Sequence, residues 1–358
     1  MDQLALHNWH ASHGARFTEV NSAEVVNDYG DARAEHDALR HRAALLDLSF
    51  RSRVCLTGAD RKRFLHGQVT NDVNRLGVGQ GCYAALVTAK GRMESDLNIY
   101  CLEQELLLDF EPGVTAKVIQ RLEQYIIADD VQVVDVAPHY GLLSVQGPEA
   151  AEVLRGAALL NSLPGHPFTF EKSHDSVLGE VYVINQPRSD RSFDIFVPTA
   201  GMQTLAEKLL SSVQAIGGGL CGWQALERAR IEAGIPRFGM DMDETNLPQE
   251  CGIEDRAVSY TKGCYIGQEV LNRIHTLGHV NRLLQGFRLP ADLTSLPARG
   301  DKIFQDGKET GYITSAIHSP VLNENIALGY LRKEVSGPGL MVRTGSSEWP
   351  IAPIKLPR

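Results

Sequence analysis

The chain has 358 residues, of which 43% are hydrophobic and 22% charged, a balance typical of a folded globular protein and not of a disordered one. Its net charge of −9 removes the general attraction to phosphates on which non-specific nucleic-acid binding depends, so nucleic acid is excluded as the main partner. The length predicts two or three domains of ~100–200 residues each.

Two segments share the order strand, glycine-containing turn, helix. The first leads from a predicted strand at 54–56 to a helix at 61–68. The second leads from a strand at 143–145 to a helix at 150–160, and Pro148 suits a first helical position. Two interpretations stay open, an internal duplication and a chance match of a short pattern.

The middle of the chain alternates short strands with two amphipathic helices. Strands are predicted at 82–88, 97–102, 105–110, 131–136 and 193–197. Apolar residues that recur every three to four positions predict helices over 114–126 and 202–216. The three glycines at 217–219 indicate a flexible joint after the second helix.

From residue 281 the pattern changes to short strand-like runs broken by proline and glycine, without helical periodicity. Asp306-Gly307 between two such runs is typical of a tight hairpin. The tail therefore predicts a small all-β barrel or sandwich, and the whole chain an α+β protein. We expect the domains to comprise residues 1–280 and 281–358.

The sequence also carries signals of compartment and metal content. No run approaches the ~18 consecutive apolar residues of a membrane span, and residues 1–17 lack the pattern of a signal peptide, so we expect neither. The six cysteines are never spaced CxxC and the histidines form no HxH or HExxH motif. These features predict a cytoplasmic protein with reduced thiols, no membrane association and no metal site.

The most unusual segment reads Lys262-Gly263-Cys264-Tyr265-Ile266-Gly267-Gln268-Glu269. Cys264 follows Lys262 by two residues, and a nearby ammonium group favours the thiolate form of a cysteine. Gly263 and Gly267 allow backbone conformations that are closed to other residues. The segment predicts either a reactive thiol in a ligand-contacting loop or an ordinary loop whose cysteine is a small buried hydrophobe.

Two acidic residues stand near the ends of predicted elements. Glu232 lies near the end of a helix that begins at about Trp223, and its carboxylate suits a pair of N–H donors on a flat heterocycle such as a pterin. The alternative is a salt bridge to Arg228 or Arg230. Asp96 stands at the start of a strand, where it orients a ligand, serves as a general acid or caps the preceding turn.

Together these segments resemble a known family. KGCYIGQE at 262–269 is similar to the signature of the YgfZ-type folate-binding proteins, whose eukaryotic mitochondrial relatives assist iron–sulfur cluster maturation. The wider superfamily of the glycine-cleavage T-protein, an aminomethyltransferase, resembles this chain at residues 35–50, 69–73, 90–97, 230–241 and 246–250. The likeness extends over nearly the whole chain.

The resemblance implies a duplicated α+β folate-binding region around a central cavity, closed by a small C-terminal β-barrel. Tetrahydrofolate, or a one-carbon derivative of it, is then expected in that cavity as the cofactor. Glu232 matches the glutamate that binds the pterin ring nitrogens, and Asp96 matches an aspartate near the reacting folate nitrogen. Tyr100 matches a residue of the pocket lining, and Arg51 falls where relatives place an aromatic or apolar folate contact.

The resemblance leaves two main functions. Aminomethyltransferases carry Asp-Phe where this chain has Cys264-Tyr265, which favours a tetrahydrofolate-binding accessory protein that supports assembly or repair of iron–sulfur clusters. Its partners would be iron–sulfur enzymes or assembly factors, and Cys264 its redox-responsive thiol. The YgfZ side often lacks the acidic residue kept here as Asp96, so the alternative is a folate-dependent aminomethyl or one-carbon transferase. A third interpretation is a plain binding module in which Cys264 only packs.

Overall fold

The computed structural model describes residues 3–188, 191–335 and 337–356 of the chain. The helices are α1 (His7–Ser12), α2 (Ala32–His41), α3 (Arg61–Gln68), α4 (Thr115–Glu123), α5 (Ala150–Gly156), α6 (Met202–Ala215), α7 (Trp223–Glu232), α8 (Glu254–Ala257) and α9 (Gln268–Leu277). Short 3-10 turns occupy Val73–Arg75 and Thr199–Gly201. No helix among these residues is long and apolar enough to cross a bilayer.

The strands of the first two thirds of the chain alternate with helices α1 to α6. They are β1 (Arg16–Val20), β2 (Ala23–Asp28), β3 (Ala44–Asp47), β4 (Ser52–Thr57), β5 (Gln80–Val87), β6 (Met93–Cys101), β7 (Leu106–Phe110), β8 (Gln132–Asp135), β9 (Tyr140–Gln146), β10 (Phe170–Asp175), β11 (Gly179–Asn185), β12 (Ser192–Pro198) and β13 (Gly219–Leu220). Strands β14 to β20 come after α9, with no helix between them in the described residues. They are β14 (Arg282–Leu289), β15 (Lys302–Gln305), β16 (Lys308–Ser319), β17 (Glu324–Arg332), β18 (Leu340–Thr344), β19 (Ser347–Pro350) and β20 (Ala352–Ile354).

These strands form sheets of two, five, six and seven strands in the described part of the chain. Their orders are β1-β2, β5-β6-β7-β4-β8, β10-β11-β12-β9-β3-β13 and β19-β18-β15-β16-β17-β14-β20. The seven-stranded sheet is antiparallel and contains every strand after α9, whereas β13 pairs with β3 in parallel. The predicted α+β class with a C-terminal β domain is therefore confirmed.

The chain divides into two compact units. The first unit contains residues 1–66, 72–83 and 97–227, and the second unit contains 67–71, 84–96 and 228–358. The division runs through strands β5 and β6, so two short internal segments belong with the C-terminal third of the sequence.

The core of the first unit is built on β3, β9 and β12, against which α5 and α6 pack. Leu205, Leu209 and Val213 recur every four residues along α6 and are fully buried. Val145 and Ile195 meet that cluster from the sheet. Burial of each such side chain stabilises the folded state by about 1.5–3 kcal/mol. This stabilisation explains why the predicted helix forms with its apolar residues packed against the sheet.

The seven-stranded sheet of the second unit is organised by the predicted hairpin. Asp306 and Gly307 have φ values of 51° and 74°, the left-handed pair that a two-residue turn between β15 and β16 requires. Phe287, Ile313 and Val342 fill the core of this sheet with no exposed surface.

Some element bounds differ from the sequence prediction. Strands β6 and β7 end and begin one residue short of the prediction, at Cys101 and Leu106, but the Leu102 amide donates to the Glu105 carbonyl oxygen at 2.9 Å and so closes the predicted two-residue loop. Pro148 precedes the N-cap Glu149 instead of occupying the first helical position. Helix α5 stops at Gly156, before the predicted residue 160, and Ala158 just beyond it has a left-handed φ of 47° that cannot continue a helix.

Candidate functional site

The segment 262–269 is anchored within the second unit by its lysine. Lys262 is buried, and its Nζ donates to the carbonyl oxygens of Val69 at 2.7 Å and Asn71 at 3.0 Å. The same ammonium lies 4.8 Å from the centre of the Tyr265 ring, within the range of a cation–π contact. Lys262 therefore holds residues 69–71 beside the loop, and its predicted effect on the thiol stays a prediction.

The two glycines of this segment differ in role. Gly267 is the N-cap of α9 with φ of 85°, and a Cβ on it would lie 2.5 Å from the Thr88 carbonyl oxygen. Gly263, within the described residues, does not adopt a positive φ, so the predicted conformational need holds for Gly267 alone. Gln268 donates from Nε2 to the Gly263 carbonyl at 3.4 Å, and Glu269 stands exposed in the first turn of α9.

Cys264 is exposed, so the interpretation of a buried packing thiol is wrong. Four other cysteines, Cys55, Cys101, Cys221 and Cys251, are buried, and no cysteine forms a disulfide in the described residues. The next residue, Tyr265, is buried with 7% exposure, and burial raises the pKa of its phenol to about 12. The loop thus presents its thiol outward and its aromatic ring inward.

Glu232 is the last residue of α7, as predicted, and is 6% exposed. Its Oε1 accepts a hydrogen bond of 2.5 Å from the Ser319 hydroxyl, which itself accepts from the Leu322 amide at 3.1 Å. Arg230, named above as an alternative partner, donates to Asp241 at 2.6 Å, and the salt bridge of Glu232 to Arg228 or Arg230 stays a prediction. The carboxylate of Glu232 is therefore fixed by the end of β16.

Asp96 lies inside β6 and not at its start, because the strand begins at Met93. It is half-buried. The preceding turn is held by Thr88, whose hydroxyl oxygen accepts from the amides of Lys90 and Arg92 at 3.3 and 3.2 Å. Thr88 therefore caps this turn, and the three interpretations of Asp96, as a ligand-orienting group, a general acid or a turn cap, stay predictions.

Tyr100 is 1% exposed in the first unit. Its hydroxyl donates to Gln186 Oε1 at 2.7 Å, and its ring meets Phe170 and Phe196 edge-on at 6.3 and 6.1 Å. Burial raises the pKa of Tyr100 well above its ordinary value, so the residue is a neutral phenol in an aromatic cluster.

Arg51 forms a buried charge network where the resemblance implies an apolar contact. Its Nε donates to Asp109 at 2.8 Å and its Nη1 to Glu111. Asp109 also accepts from Asn98 at 2.9 Å and from Arg188 at 2.8 Å. Burial alone would raise the pKa of Asp109, but Arg51 and Arg188 outweigh it and hold that pKa well below its usual range.

The sequence prediction missed Ser319, Asp109, Arg188 and Gln186, which fix the predicted residues from distant parts of the chain. Only Asp109 left a signal, since it interrupts the apolar run of β7, and a buried Asp requires a partner. Of the predicted residues, Asp96, Glu232 and Cys264 belong to the second unit, and Tyr100 and Arg51 to the first.

Comparison with known proteins gives matches along nearly the whole chain. The protein-family model for the GCVT N-terminal domain matches residues 6–262. The family model for the glycine cleavage T-protein C-terminal barrel domain matches residues 282–357. An aminomethyltransferase of Rubrobacter xylanophilus is 30% identical over 335 residues, covering 93% of this chain and 87% of its own. An aminomethyltransferase of Bacillus subtilis is 27% identical over 345 residues, covering 96% and 94%.

Among solved structures, the glycine cleavage system aminomethyltransferase T from Bartonella henselae superposes with a TM-score of 0.86 at 22% identity. The match covers 99% of this chain and 97% of that one. At this identity the likeness concerns the fold alone.

Proposed function

Because the chain belongs to the glycine cleavage T-protein family, we propose that it is a tetrahydrofolate-dependent aminomethyl or one-carbon transferase. The observation that carries the proposal is Asp96, a half-buried carboxylate on β6 at the position that the resemblance assigns to the reacting folate nitrogen. Two relatives that are named aminomethyltransferase support it, and each aligns with more than nine tenths of this chain.

The second unit offers a hydrogen-bond acceptor that suits a reduced pterin. A pterin presents N–H groups along one edge, and Glu232 offers a buried carboxylate whose Oε1 is already fixed by Ser319. A carboxylate that is held in one orientation binds a planar pair of donors with little further loss of conformational freedom. Tyr100 and Arg51 remain proposed folate contacts in the first unit, on the resemblance alone.

Tetrahydrofolate, when bound, supplies the nitrogen that takes up the one-carbon group. Asp96 accepts or returns a proton at that nitrogen through its carboxylate, which is general acid–base catalysis. Glu232 binds the ring and fixes its orientation, so that the nitrogen stays within reach of Asp96.

The test is turnover of an aminomethyl donor with tetrahydrofolate, measured together with calorimetric titration of tetrahydrofolate under anaerobic conditions. We expect Asp96→Asn to lower kcat by about 10²–10⁴-fold, the contribution of a positioned acid or base, while folate binding is retained. Glu232→Gln should weaken folate binding instead. Glu171→Gln, at an exposed position of β10, removes the same charge and should leave both measurements unchanged. Wild type that binds folate without any turnover would overturn the transferase proposal.

A second candidate is favoured by the exposed thiol of Cys264. In this second hypothesis the chain binds tetrahydrofolate and supports iron–sulfur cluster assembly or repair, with Cys264 as its redox-responsive group. We expect Cys264→Ala to impair the activity of iron–sulfur enzymes in cells that depend on this chain, with folate binding intact. If Cys264→Ala leaves the iron–sulfur enzymes active while Asp96→Asn loses turnover, the transferase remains as the function.

A further inference from the structure

Three side chains of the second unit form a cluster that is distinct from the residues proposed to bind folate. They are Glu254 of α8, Tyr260 of the segment that follows it, and His275 in the last turn of α9. The Tyr260 hydroxyl donates to Glu254 Oε1, and His275 Nδ1 lies 3.0 Å from the same oxygen. The rings of Tyr260 and His275 are stacked, with centroids 3.8 Å apart and planes inclined by 16°. One carboxylate oxygen thus joins two rings that also contact each other.

The cluster closes the two ends of segment 262–269. Tyr260 stands two residues before Lys262, and His275 stands on the helix that begins directly after Gly267. The contact between Tyr260 and His275 therefore holds the chain before the segment against the helix after it.

Gln249 supports the cluster from the interior of the unit. It is buried, and its Nε2 donates to the Tyr260 hydroxyl at 3.1 Å and to the Leu271 carbonyl of α9 at 3.3 Å. Because the hydroxyl accepts from Gln249, its own proton is directed to Glu254. The orientation of Tyr260 is thus fixed, and a change at His275 is transmitted to the chain beside it.

His275 is the member of the cluster whose ordinary titration range includes neutral pH. Burial, together with the bond to Glu254, raises the pKa of Tyr260, so that its phenol remains a neutral donor. In the described part of the chain, Glu254 and Tyr260 are the titratable groups that contact His275. The side chain of His275 is 49% exposed, so protons reach it from the solvent.

The protonated ring makes the stronger contacts. An imidazolium donates a charge-assisted hydrogen bond to Glu254, whereas the neutral ring donates an ordinary one. A positive charge against the face of Tyr260 adds a cation–π contact, and the C-terminal end of α9 also favours a cation. All three contributions are lost with the proton, so the cluster is tightest below the histidine titration range and looser above it.

We propose that His275 is a positioning residue for segment 262–269, which it holds in place while protonated, through Glu254 and Tyr260, and releases in part when neutral. The exposed thiol of Cys264 lies in this segment, so the conformational freedom of the loop that carries it depends on pH. The proposal does not depend on the transferase or on the iron–sulfur hypothesis, because it concerns the loop and not a ligand.

The experiment measures hydrogen exchange of single amides in the full chain at about pH 5.5 and pH 8, on the two sides of the ordinary histidine range. Each rate is divided by the intrinsic chemical rate at that pH. The Ile266 amide reports on the segment, because its bond to the Gly67 carbonyl at 3.1 Å must break before it exchanges. We expect its protection in wild type to fall about three- to tenfold from the lower to the higher pH, as suits a half-exposed charged contact.

The Ile351 amide, which donates to the Leu340 carbonyl at 2.9 Å, is the internal reference for global stability. Its protection should change less with pH than that of Ile266. Equal changes at the two amides would show a global effect of pH and would overturn the proposal.

Two variants separate protonation of His275 from a merely structural role. His275→Gln keeps an N–H donor but carries no charge, and it should show the lower protection of Ile266 at both pH values. His279→Gln removes the same titratable group at an exposed position outside the cluster and should behave as wild type. Protection of Ile266 that is independent of pH in wild type, or a wild-type pH dependence that persists in His275→Gln, would contradict the positioning role.

Discussion

Asp109 is a carboxylate with no exposed surface that stays ionised because cations surround it. Arg51 and Arg188 contact its two oxygens, and Asn98 donates a further hydrogen bond. Removing one partner of such a buried network leaves charges uncompensated in a region of low dielectric constant. The network therefore specifies the position of β7 relative to its neighbours in the first unit.

We expect Asp109→Asn to lower the free energy of unfolding by about 3 kcal/mol, at the low end for a broken buried ion pair, because each arginine retains a second carboxylate. Urea unfolding at pH 7 measures the change. Asp292→Asn, at an exposed position, removes the same charge and should change the stability little.

The pH dependence of the same variant follows from the lowered pKa of Asp109. The unfolded chain has an Asp pKa of ~3.9, so the stabilisation from this carboxylate is complete above about pH 5 and is lost as pH falls toward the folded pKa. The free energy of unfolding should therefore fall more steeply from pH 5 to pH 3 in wild type than in Asp109→Asn. Parallel curves would show that Asp109 is not ionised in the folded state.

At the scale of elements, the start of α9 is set by a glycine in a crowded place. Gly267 combines a left-handed φ of 85° with a carbonyl oxygen, that of Thr88, 2.5 Å from where a Cβ would stand. The turn before β6 and the beginning of α9 are thus in contact within the second unit. The signature segment is positioned by this contact and by the lysine anchor of Lys262.

We expect Gly267→Ala to destabilise the protein by about 2–4 kcal/mol, because the strain of a left-handed alanine adds to the displacement of Thr88. Gly300→Ala is the matched control, since its φ of 94° is similar but no atom lies within 4 Å of the added Cβ. It should cost only about 1 kcal/mol. Equal losses in the two variants, measured by chemical denaturation, would show that the close approach to Thr88 has no energetic consequence.

At the scale of the molecule, the second unit joins the C-terminal sheet to residues that precede it. The Leu284 amide donates to the Glu250 carbonyl at 2.8 Å, and the Tyr330 hydroxyl donates to the Asp241 carbonyl at 2.9 Å. Thr314 also donates to the Asp241 carboxylate, at 2.5 Å. The sheet therefore supplies hydrogen-bond partners to buried polar groups of the residues that precede it.

We expect a fragment of residues 1–281 to lose the native structure of segment 228–281, because the hydroxyl partners of Glu232 and Asp241 are removed with the sheet. Limited proteolysis with mass spectrometry should show rapid cleavage within 228–281 in the fragment and protection in the full chain. Co-expression of residues 282–358 should restore the protection. A fragment that is protected as well as the full chain would contradict this dependence.

The candidate site shows where sequence reasoning stops. Glu232 at the end of its helix was predictable, because the glycine and proline that follow it are local signals. Its hydrogen bond to Ser319 was not, since the two residues are 87 positions apart. The same limit applies to Arg51, whose partners Asp109 and Glu111 stand 58 and 60 positions away.

The sequence by itself determined the α+β class, the all-β C-terminal region, the span of α3 and the signature segment, because each depends on periodicity, turn residues or a local motif. Only the tertiary structure decided that Cys264 faces outward, that Lys262 is held by the carbonyl groups of residues 69 and 71, and that Arg53 is buried against main-chain carbonyl groups. Exposure and charge pairing are set by contacts between distant residues, and a local pattern carries no information about which distant group will arrive.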